Sequence, residues 1–305
     1  RDRCSMTSNS LLSLLRSPRV VMAAKLLIFV IVAFFIGRAV VKAFDQMQAE
    51  RVTLASLNLW WLCLAGGLFL VAQIPLAWFW RQAMWQLGQR PCWSRTLCAY
   101  YLGSLGKYVP GKAMVVVLRT VMLREKQVDT TVAAVTVMYE TLTMMAVGAA
   151  VAGLLVALWW SEQMWTILIA VGLMCVAIVP TLPPVFRWLA RLVGMGRSDP
   201  RVAERLARFG YGELIVGWLT IAGGWFVLGL SLWAVLQGIG VKDFPLLQNW
   251  PLCTAAVSLA VVAGFLSLIP GGAGVREAIL LPLLAPELVA TVALGAALLL
   301  RMVWL

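Results

Sequence analysis

Charged side chains lie inside the apolar segments of this chain, and their types are the ones that could do chemistry there. Lys107, Lys112, Arg119 and Arg276 are basic, and basic groups bind phosphate. Glu140 lies inside a later apolar segment, where an ionisable side chain needs a partner or a wet cavity. These residues predict a polar site near the membrane midplane that receives a lipid headgroup, with cations on its phosphate and a carboxylate on a cationic group.

A motif of proline and glycine occurs twice and interrupts an apolar segment each time. The first copy includes Lys107-Tyr108-Val109-Pro110-Gly111-Lys112, and the second includes Ile269-Pro270-Gly271-Gly272-Ala273-Gly274-Val275-Arg276-Glu277. Both residue types break helices, and broken backbone survives in lipid only where protein or water satisfies its polar groups. Two breaks at matching places in two halves predict a transport-type site at the repeat interface.

The spacing of the charges relative to the two prolines suggests how they pair. Glu140 lies thirty residues after the first proline and Arg301 lies thirty-one residues after the second. We therefore predict a Glu140–Arg301 ion pair, with Glu277 and Arg119 as alternative partners. The other interpretation of these charges is a set of buried ion pairs that only fix helix packing.

The patterns that usually indicate catalysis or metal binding are missing. The chain has no histidine and its six cysteines form no CxxC pair; a nucleophile elbow and a nucleotide-type glycine loop are absent as well. Ser104 and Ser267 lie near the breaks without a base, so we expect them to form hydrogen bonds between helices. We therefore expect no metal, no disulfide, no cofactor and no enzymatic activity.

The composition is typical of a multi-pass membrane protein. Apolar residues make up 62% and charged residues 12% of 305 residues. The net charge is +12, but the basic residues are spread over loops, which indicates membrane topology rather than nucleic-acid binding. The basic N-terminus is expected to be a retained cytoplasmic anchor. Because the chain begins at Arg1 and stops within an apolar run, we expect a fragment at one or both ends.

Apolar stretches and basic loops predict the membrane topology. The stretches cover approximately residues 20–44, 56–80, 97–118, 132–160, 164–182, 214–238, 253–275 and 287–305. Basic loops at 81–96, 119–130 and 183–213 are expected in the cytoplasm, and the turn at 161–163 outside. We expect Trp78-Phe79-Trp80 to end the second stretch as an interfacial belt. The arginine spacing within 183–213 predicts a basic amphipathic helix on the anionic leaflet.

The same loop charges predict two re-entrant hairpins. Residues 97–118 have basic flanks on both sides, and both flanks are expected in the cytoplasm. A single span would place its two flanks on opposite sides of the membrane. We therefore predict a hairpin that enters from the cytoplasm with Pro110-Gly111 at its tip; the alternative is one kinked span. The second motif enters from outside, so residues 56–160 and 214–305 form an inverted-topology repeat.

On these motifs the chain resembles the lysylphosphatidylglycerol synthase transmembrane family, the flippase-like region of multiple peptide resistance factor proteins. The resemblance rests on residues 107–112 with Arg119, on Tyr139-Glu140 and on residues 269–277, and it extends over about 20–305. It implies movement of an aminoacylated phospholipid, or a related anionic or zwitterionic lipid, across the membrane. The soluble synthase domain of such proteins is not visible in these residues.

We therefore predict an all-α integral membrane protein, a polytopic helical bundle with two inverted repeats that forms one flippase-like domain over 1–305. It is expected in the cytoplasmic membrane with phospholipid as its partner. A second copy of the chain or a lipid-modifying enzyme are further candidate partners, and nucleic acid is not expected. The alternative functions are a non-transporting subunit that supports a lipid-modifying or glycosyltransferase enzyme, and an intramembrane lipid enzyme. The residues expected to bind substrate are Lys107, Tyr108, Pro110, Gly111, Lys112, Arg119, Glu140, Pro270, Gly271, Gly272, Gly274, Arg276, Glu277 and Arg301.

Overall fold

The fold is all-helical over the part of the chain that the structure describes. The computed structural model describes residues 30, 34, 38, 41, 57–108, 113–123, 128–159, 172, 174–175, 177–194, 200–208, 210–241, 243–267 and 269–304, and no strand occurs among them. The helices are α1 (Leu59–Gln86), α2 (Trp93–Ser104), α3 (Ala113–Met122), α4 (Thr130–Trp159), α5 (Pro183–Leu192), α6 (Pro200–Arg208), α7 (Tyr211–Ile239), α8 (Leu246–Leu266), α9 (Val275–Leu284) and α10 (Ala290–Val303). Short 3-10 turns cover Leu105–Tyr108, Val179–Thr181 and Pro270–Gly272.

Within the described ranges, four helices are long and apolar enough to cross a membrane. They are α1, α4, α7 and α8, and α10 is a shorter apolar helix of 14 residues. Their ends have local causes. The Asn58 side chain accepts a hydrogen bond from the Trp60 amide before α1, and the Asp129 carboxylate accepts from the Thr131 amide before α4. Such side chains satisfy the free amides of a first helical turn. At the end of α7, Gly240 adopts a φ of 87°, which suits glycine at a helix terminus.

Helices α1 and α7 form the centre of the bundle as an antiparallel pair. The Asn58 amide donates to the Gly238 carbonyl over 2.9 Å at one end. Phe79 lies directly against Gly217 near the other end, where a Cβ would overlap its ring. Glycine at such a crossing lets two helices approach closely. The long apolar faces therefore bury each other along nearly their whole length.

Helices α2 and α3 form a hairpin. Gly103 lies against the Arg119 side chain, and a Cβ on Gly106 would lie 2.7 Å from the Val115 amide nitrogen. The chain therefore doubles back on itself between these pairs. At 12 and 10 residues, the two helices are about 18 and 15 Å long, too short to cross a hydrocarbon layer of about 30 Å.

Helices α8 and α9 form a second hairpin at the other motif. A Cβ on Gly264 would lie 3.0 Å from the Arg276 Cγ and 3.3 Å from the Gly272 Cα. Gly271, Gly272 and Gly274 have φ values of 63°, 66° and 85°. Side chains disfavour this region, so the glycine-rich sequence permits the sharp reversal after α8.

The two hairpins meet at their tips in the interior of the bundle. The 3-10 turn Leu105–Tyr108 contacts the 3-10 turn Pro270–Gly272. The Lys107 ammonium donates to the Trp304 carbonyl over 3.2 Å and lies 5.2 Å from the ring centre of Phe69, which is well inside α1. The hairpin tips therefore lie beside the middle part of α1.

The hairpins begin at opposite ends of the bundle. At one end, the Gln89 side-chain oxygen, just before α2, accepts from the Asp129 amide over 3.0 Å, and Gly88 lies against Arg205 of α6. At the other end, the Phe244 carbonyl, just before α8, accepts from Trp233 over 3.1 Å. The loops predicted as cytoplasmic around 89, 129 and 205 thus share one end. The division into two inverted repeats, each with one re-entrant hairpin, stays a prediction.

Some expectations need correction or lie outside the described residues. Helix α1 continues past the expected aromatic belt to Gln86, and Phe79 and Trp80 are buried. They pack on neighbouring helices because glycine and threonine leave room there, as Trp80 donates to Thr136. Residues 183–208 form two helices, not one. Most of the stretches 20–44 and 164–182 lies outside the described residues.

Candidate functional site

The first intramembrane charge pair joins Arg119 of α3 to Glu140 of α4. Arg119 Nη1 lies 2.7 Å from Glu140 Oε2, and both side chains are at most 5% exposed. Tyr100 of α2 donates its hydroxyl to the other carboxylate oxygen over 2.8 Å. The Arg119 guanidinium lies 3.8 Å from the centre of the Tyr100 ring, a cation–π distance. Both carboxylate oxygens of Glu140 are therefore occupied by side chains from the first hairpin.

This arrangement makes the first pair a structural link. A buried charge is costly unless it is paired and hydrogen-bonded, and Ser104 adds a longer contact of 3.5 Å to Arg119 Nη2. Gly103 leaves the space through which the Arg119 stem passes. The residues hold α2, α3 and α4 together, and each carboxylate oxygen of Glu140 has a partner within the first hairpin.

The second pair joins Glu277 of α9 to Arg301 of α10. Arg301 Nη1 lies 3.3 Å from Glu277 Oε1, a longer contact than in the first pair. Glu277 Oε2 accepts the Gly274 amide over 2.7 Å, so this carboxylate also caps the start of α9. The pair borders a cavity of about 20 Å³ for water-sized spheres, roughly the room for one water. The second pair is therefore longer than the first and borders a small cavity.

The predicted Glu140–Arg301 pair is wrong. Glu140 contacts Arg119 and Arg301 contacts Glu277, so the partners named as alternatives are the ones used. The reason is geometric: in each half, the helix after the break packs against the following helix, and that packing closes an ion pair within the half. The two pairs differ in the order of their residues along the chain: the arginine precedes the glutamate in the first half and follows it in the second.

Two basic side chains lie where the hairpin tips touch. Lys107 belongs to the first turn, which contacts the second turn, and Arg276 lies against Gly272 of that second turn; both side chains are partly buried. Arg276 lines the same cavity as Glu277 and Arg301. Like charges held together in a partly desolvated place attract an anion. A guanidinium can grip a phosphate with two parallel hydrogen bonds, so the tips have the chemistry of a phosphate site.

The remaining predicted site residues contribute backbone or are not described. Gly271, Gly272 and Gly274 form the reversal of the second hairpin. Tyr108 and Pro270 belong to the two 3-10 turns at the tips. Pro110, Gly111 and Lys112 lie outside the described residues. The structure thus brings Lys107, Arg276, Glu277 and Arg301 together, and holds Arg119 and Glu140 in a separate pair.

Several polar residues of this region were not predicted. Tyr100 donates to the Glu140 carboxylate. It lies four residues before Ser104, so the two side chains share one face of α2, and this spacing was the sequence pattern that could have indicated its role. Trp304 carries the carbonyl that accepts from Lys107, and its indole donates to Ser231 over 2.9 Å. Nothing local in the sequence indicates that contact, because the partners are far apart in the chain.

Metal binding has no support within the described part of the chain. No group of three or more histidine, cysteine, aspartate or glutamate side chains comes together there. The described cysteines are free thiols, and Cys253 is the buried one among them. The described chemistry is therefore that of ion pairs and an anion-attracting pair of cations.

The fold and its buried charges define a multi-pass α-helical membrane protein. A family model described as the lysylphosphatidylglycerol synthase TM region matches residues 22–305. The chain therefore belongs to this family, as its motifs suggested. A search of curated proteins gives no significant match.

Proposed function

We propose that this protein moves a lipid across the cytoplasmic membrane, and that the headgroup passes between the two hairpin tips. The cargo is an aminoacylated phospholipid or a related anionic or zwitterionic lipid. Membership in the lysylphosphatidylglycerol synthase TM family supports the link to such lipids. The proposed role is transport rather than catalysis.

The observation that carries this proposal is the contact between the two hairpin turns, because Lys107 belongs to one turn and Arg276 lies against Gly272 of the other. Two cations repel each other, and a phosphate between them would convert that repulsion into two attractions. The site lies between two hairpins that join from opposite ends of the bundle, an arrangement that suits alternating access from two sides. The nearby cavity is small, so passage requires the tips to separate.

The proposal includes a membrane orientation. The end that carries Arg81, Arg187, Arg191 and Arg205 faces the cytoplasm, because basic loops are retained there. Hairpin α2–α3 then enters from the cytoplasm and hairpin α8–α9 from outside, as two inverted repeats. Together with the membrane span that the sequence predicts at 20–44, this orientation places the N-terminus in the cytoplasm. The freed backbone of both tips lines the polar path, which is how irregular backbone is tolerated within a membrane.

Reconstitution into liposomes tests the function. Vesicles with labelled aminoacyl-phosphatidylglycerol, phosphatidylglycerol or phosphatidylethanolamine are compared with protein-free vesicles, and the labelled fraction reachable by an impermeant quencher is followed in time. The proposal predicts faster transbilayer movement of at least one of these lipids. Movement at the protein-free rate for all three would reject it and favour the alternative, a non-transporting subunit for a lipid-modifying or glycosyltransferase enzyme.

A further inference from the structure

A second polar cleft lies away from the hairpin tips, between the end of α1 and the start of α7. Its volume is about 100 Å³, compared with about 20 Å³ for the cavity beside Glu277 and Arg301. The lining residues are Phe79, Gln82, Ala83, Gln86, Gly212, Glu213 and Val216. Gly212 has no neighbour that a Cβ would meet, so the cleft is open on the α7 side.

The polar groups of this cleft are suited to a hydrogen-bond donor with positive charge. Gln82 and Gln86 supply amide oxygens, and Glu213 supplies a carboxylate. Glu213 Oε2 accepts a hydrogen bond from the Gly210 amide over 3.0 Å. Each carboxylate oxygen has two lone pairs, so Oε2 can accept one more hydrogen bond and Oε1 can accept two. Among the described residues, no lysine or arginine lines the cleft, although basic side chains dominate this end of the bundle. The cleft is thus an acceptor-rich site among cationic surroundings.

The position of the cleft suits a lipid headgroup. Its rim residue Val216 is 42% exposed, and Ile215 and Leu219 beyond it on α7 are 58% and 70% exposed. This apolar surface belongs to a helix long enough to cross a membrane, so acyl chains can lie along it. The cleft itself lies one or two turns from the helix ends, where headgroups meet the apolar layer.

The floor of the cleft adjoins the first hairpin. Phe79 lines the cleft beside Glu213 and packs on Tyr139 of α4 with ring centres 5.7 Å apart. Tyr139 precedes Glu140, which holds the hairpin through Arg119. A ligand at Glu213 would therefore lie one layer of side chains away from the elements that carry the tip of the first hairpin.

We propose that this cleft binds the primary ammonium of a lipid headgroup at the membrane surface, before the phosphate reaches the hairpin tips. The inference rests on the proposed lipid translocation for its purpose. Binding itself does not require transport, so the two can fail separately.

The test is binding of short-chain lipids to the purified full chain in detergent. Dioctanoyl phosphatidylethanolamine carries the ammonium and dioctanoyl phosphatidylglycerol lacks it, and titration calorimetry gives a dissociation constant for each. Glu213→Gln removes the charge and keeps an acceptor for the cap, since glutamine also serves at this helix position. The matched control is Glu287→Gln, an exposed glutamate in the turn before α10.

The wild-type protein should bind the ethanolamine lipid more tightly than the glycerol lipid. Glu213→Gln should weaken binding of the ethanolamine lipid roughly tenfold, which corresponds to about 1.4 kcal/mol. Glu287→Gln should leave both affinities unchanged. Gln86→Lys is the second variant, because a lysine suits the last turn of a helix and would place a competing ammonium in the cleft. Equal affinities for the two lipids, or no effect of either cleft variant, would overturn the ammonium site. Transport in the liposome assay would then still stand on its own result.

Discussion

The ion pair between Arg119 and Glu140 gives the sharpest energetic prediction. Its two charges are at most 5% exposed and 2.7 Å apart. At an effective dielectric constant of about 20, two unit charges separated by about 4 Å interact by about 4 kcal/mol. Removing one partner of a buried pair costs about 3–5 kcal/mol, because the remaining charge stays buried. Glu140→Gln should therefore destabilise the protein by about 3–5 kcal/mol, although glutamine still accepts from Tyr100.

A variant with both Arg119→Met and Glu140→Gln tests whether the two side chains stabilise the protein as an ion pair or independently of each other. Arg119→Met alone leaves a buried carboxylate and should cost about 3 kcal/mol. Arg119→Met with Glu140→Gln leaves no buried charge, so it should be more stable than either single variant, with a coupling energy of about 3 kcal/mol or more.

Unfolding of the purified protein by sodium dodecyl sulfate in mixed micelles, followed by tryptophan fluorescence, gives the free energies of unfolding. The control cycle uses Arg38→Met and Glu287→Gln, two exposed positions, whose effects should add within about 0.5 kcal/mol. A loss of less than about 1 kcal/mol for Glu140→Gln, or simple addition in the double variant, would refute the assignment of this pair as the link between α3 and α4.

Three further predictions follow from the same geometry. Glu277→Gln should cost less than Glu140→Gln, about 1–2 kcal/mol in the same unfolding assay, because its contact with arginine is 3.3 Å long and borders a cavity. Gly229→Ala should cost about 1–3 kcal/mol of unfolding free energy, because the added Cβ would lie 2.8 Å from a backbone carbon of α8. The control is Gly223→Ala, whose Cβ meets no neighbour and which should not destabilise the protein. Equal losses for the two variants would argue against close packing of α7 on α8. Cysteines at Arg90 and Thr130, in a background without other cysteines, should react with an impermeant maleimide from the same side of reconstituted vesicles, because their loops touch; reaction from opposite sides would exclude a re-entrant first hairpin.

The sequence predicted the helical membrane class, the family and the approximate positions of α1, α4 and α7, because these depend on apolar composition and on local motifs. The breaks were also recognisable, since proline and glycine have strong local effects. Helices α1, α4 and α7 begin and end within a few residues of the expected bounds except at the end of α1. There, Phe79 and Trp80 looked interfacial but are buried, because aromatic residues favour membrane interfaces and helix contacts alike.

The partners of the charges could not be derived from spacing. Glu140 and Arg301 have matched positions in the two halves, but matched positions in related repeats do not imply mutual contact. The helix packing within each half decides that Arg119 lies beside Glu140. The cleft at Glu213 was missed as well, because it combines residues of α1 and α7 that are over a hundred positions apart.

The role of the meeting hairpin tips in lipid passage is tested most directly at Arg276. The measurement is the initial rate of transbilayer lipid movement in proteoliposomes for the wild type, Arg276→Lys, Arg276→Ala and Arg38→Lys at equal protein content. A two-pronged grip on phosphate requires a guanidinium, so Arg276→Lys should lower the rate by about tenfold and Arg276→Ala by more, while Arg38→Lys should leave it unchanged. A wild-type rate for Arg276→Ala would contradict a headgroup path between the tips.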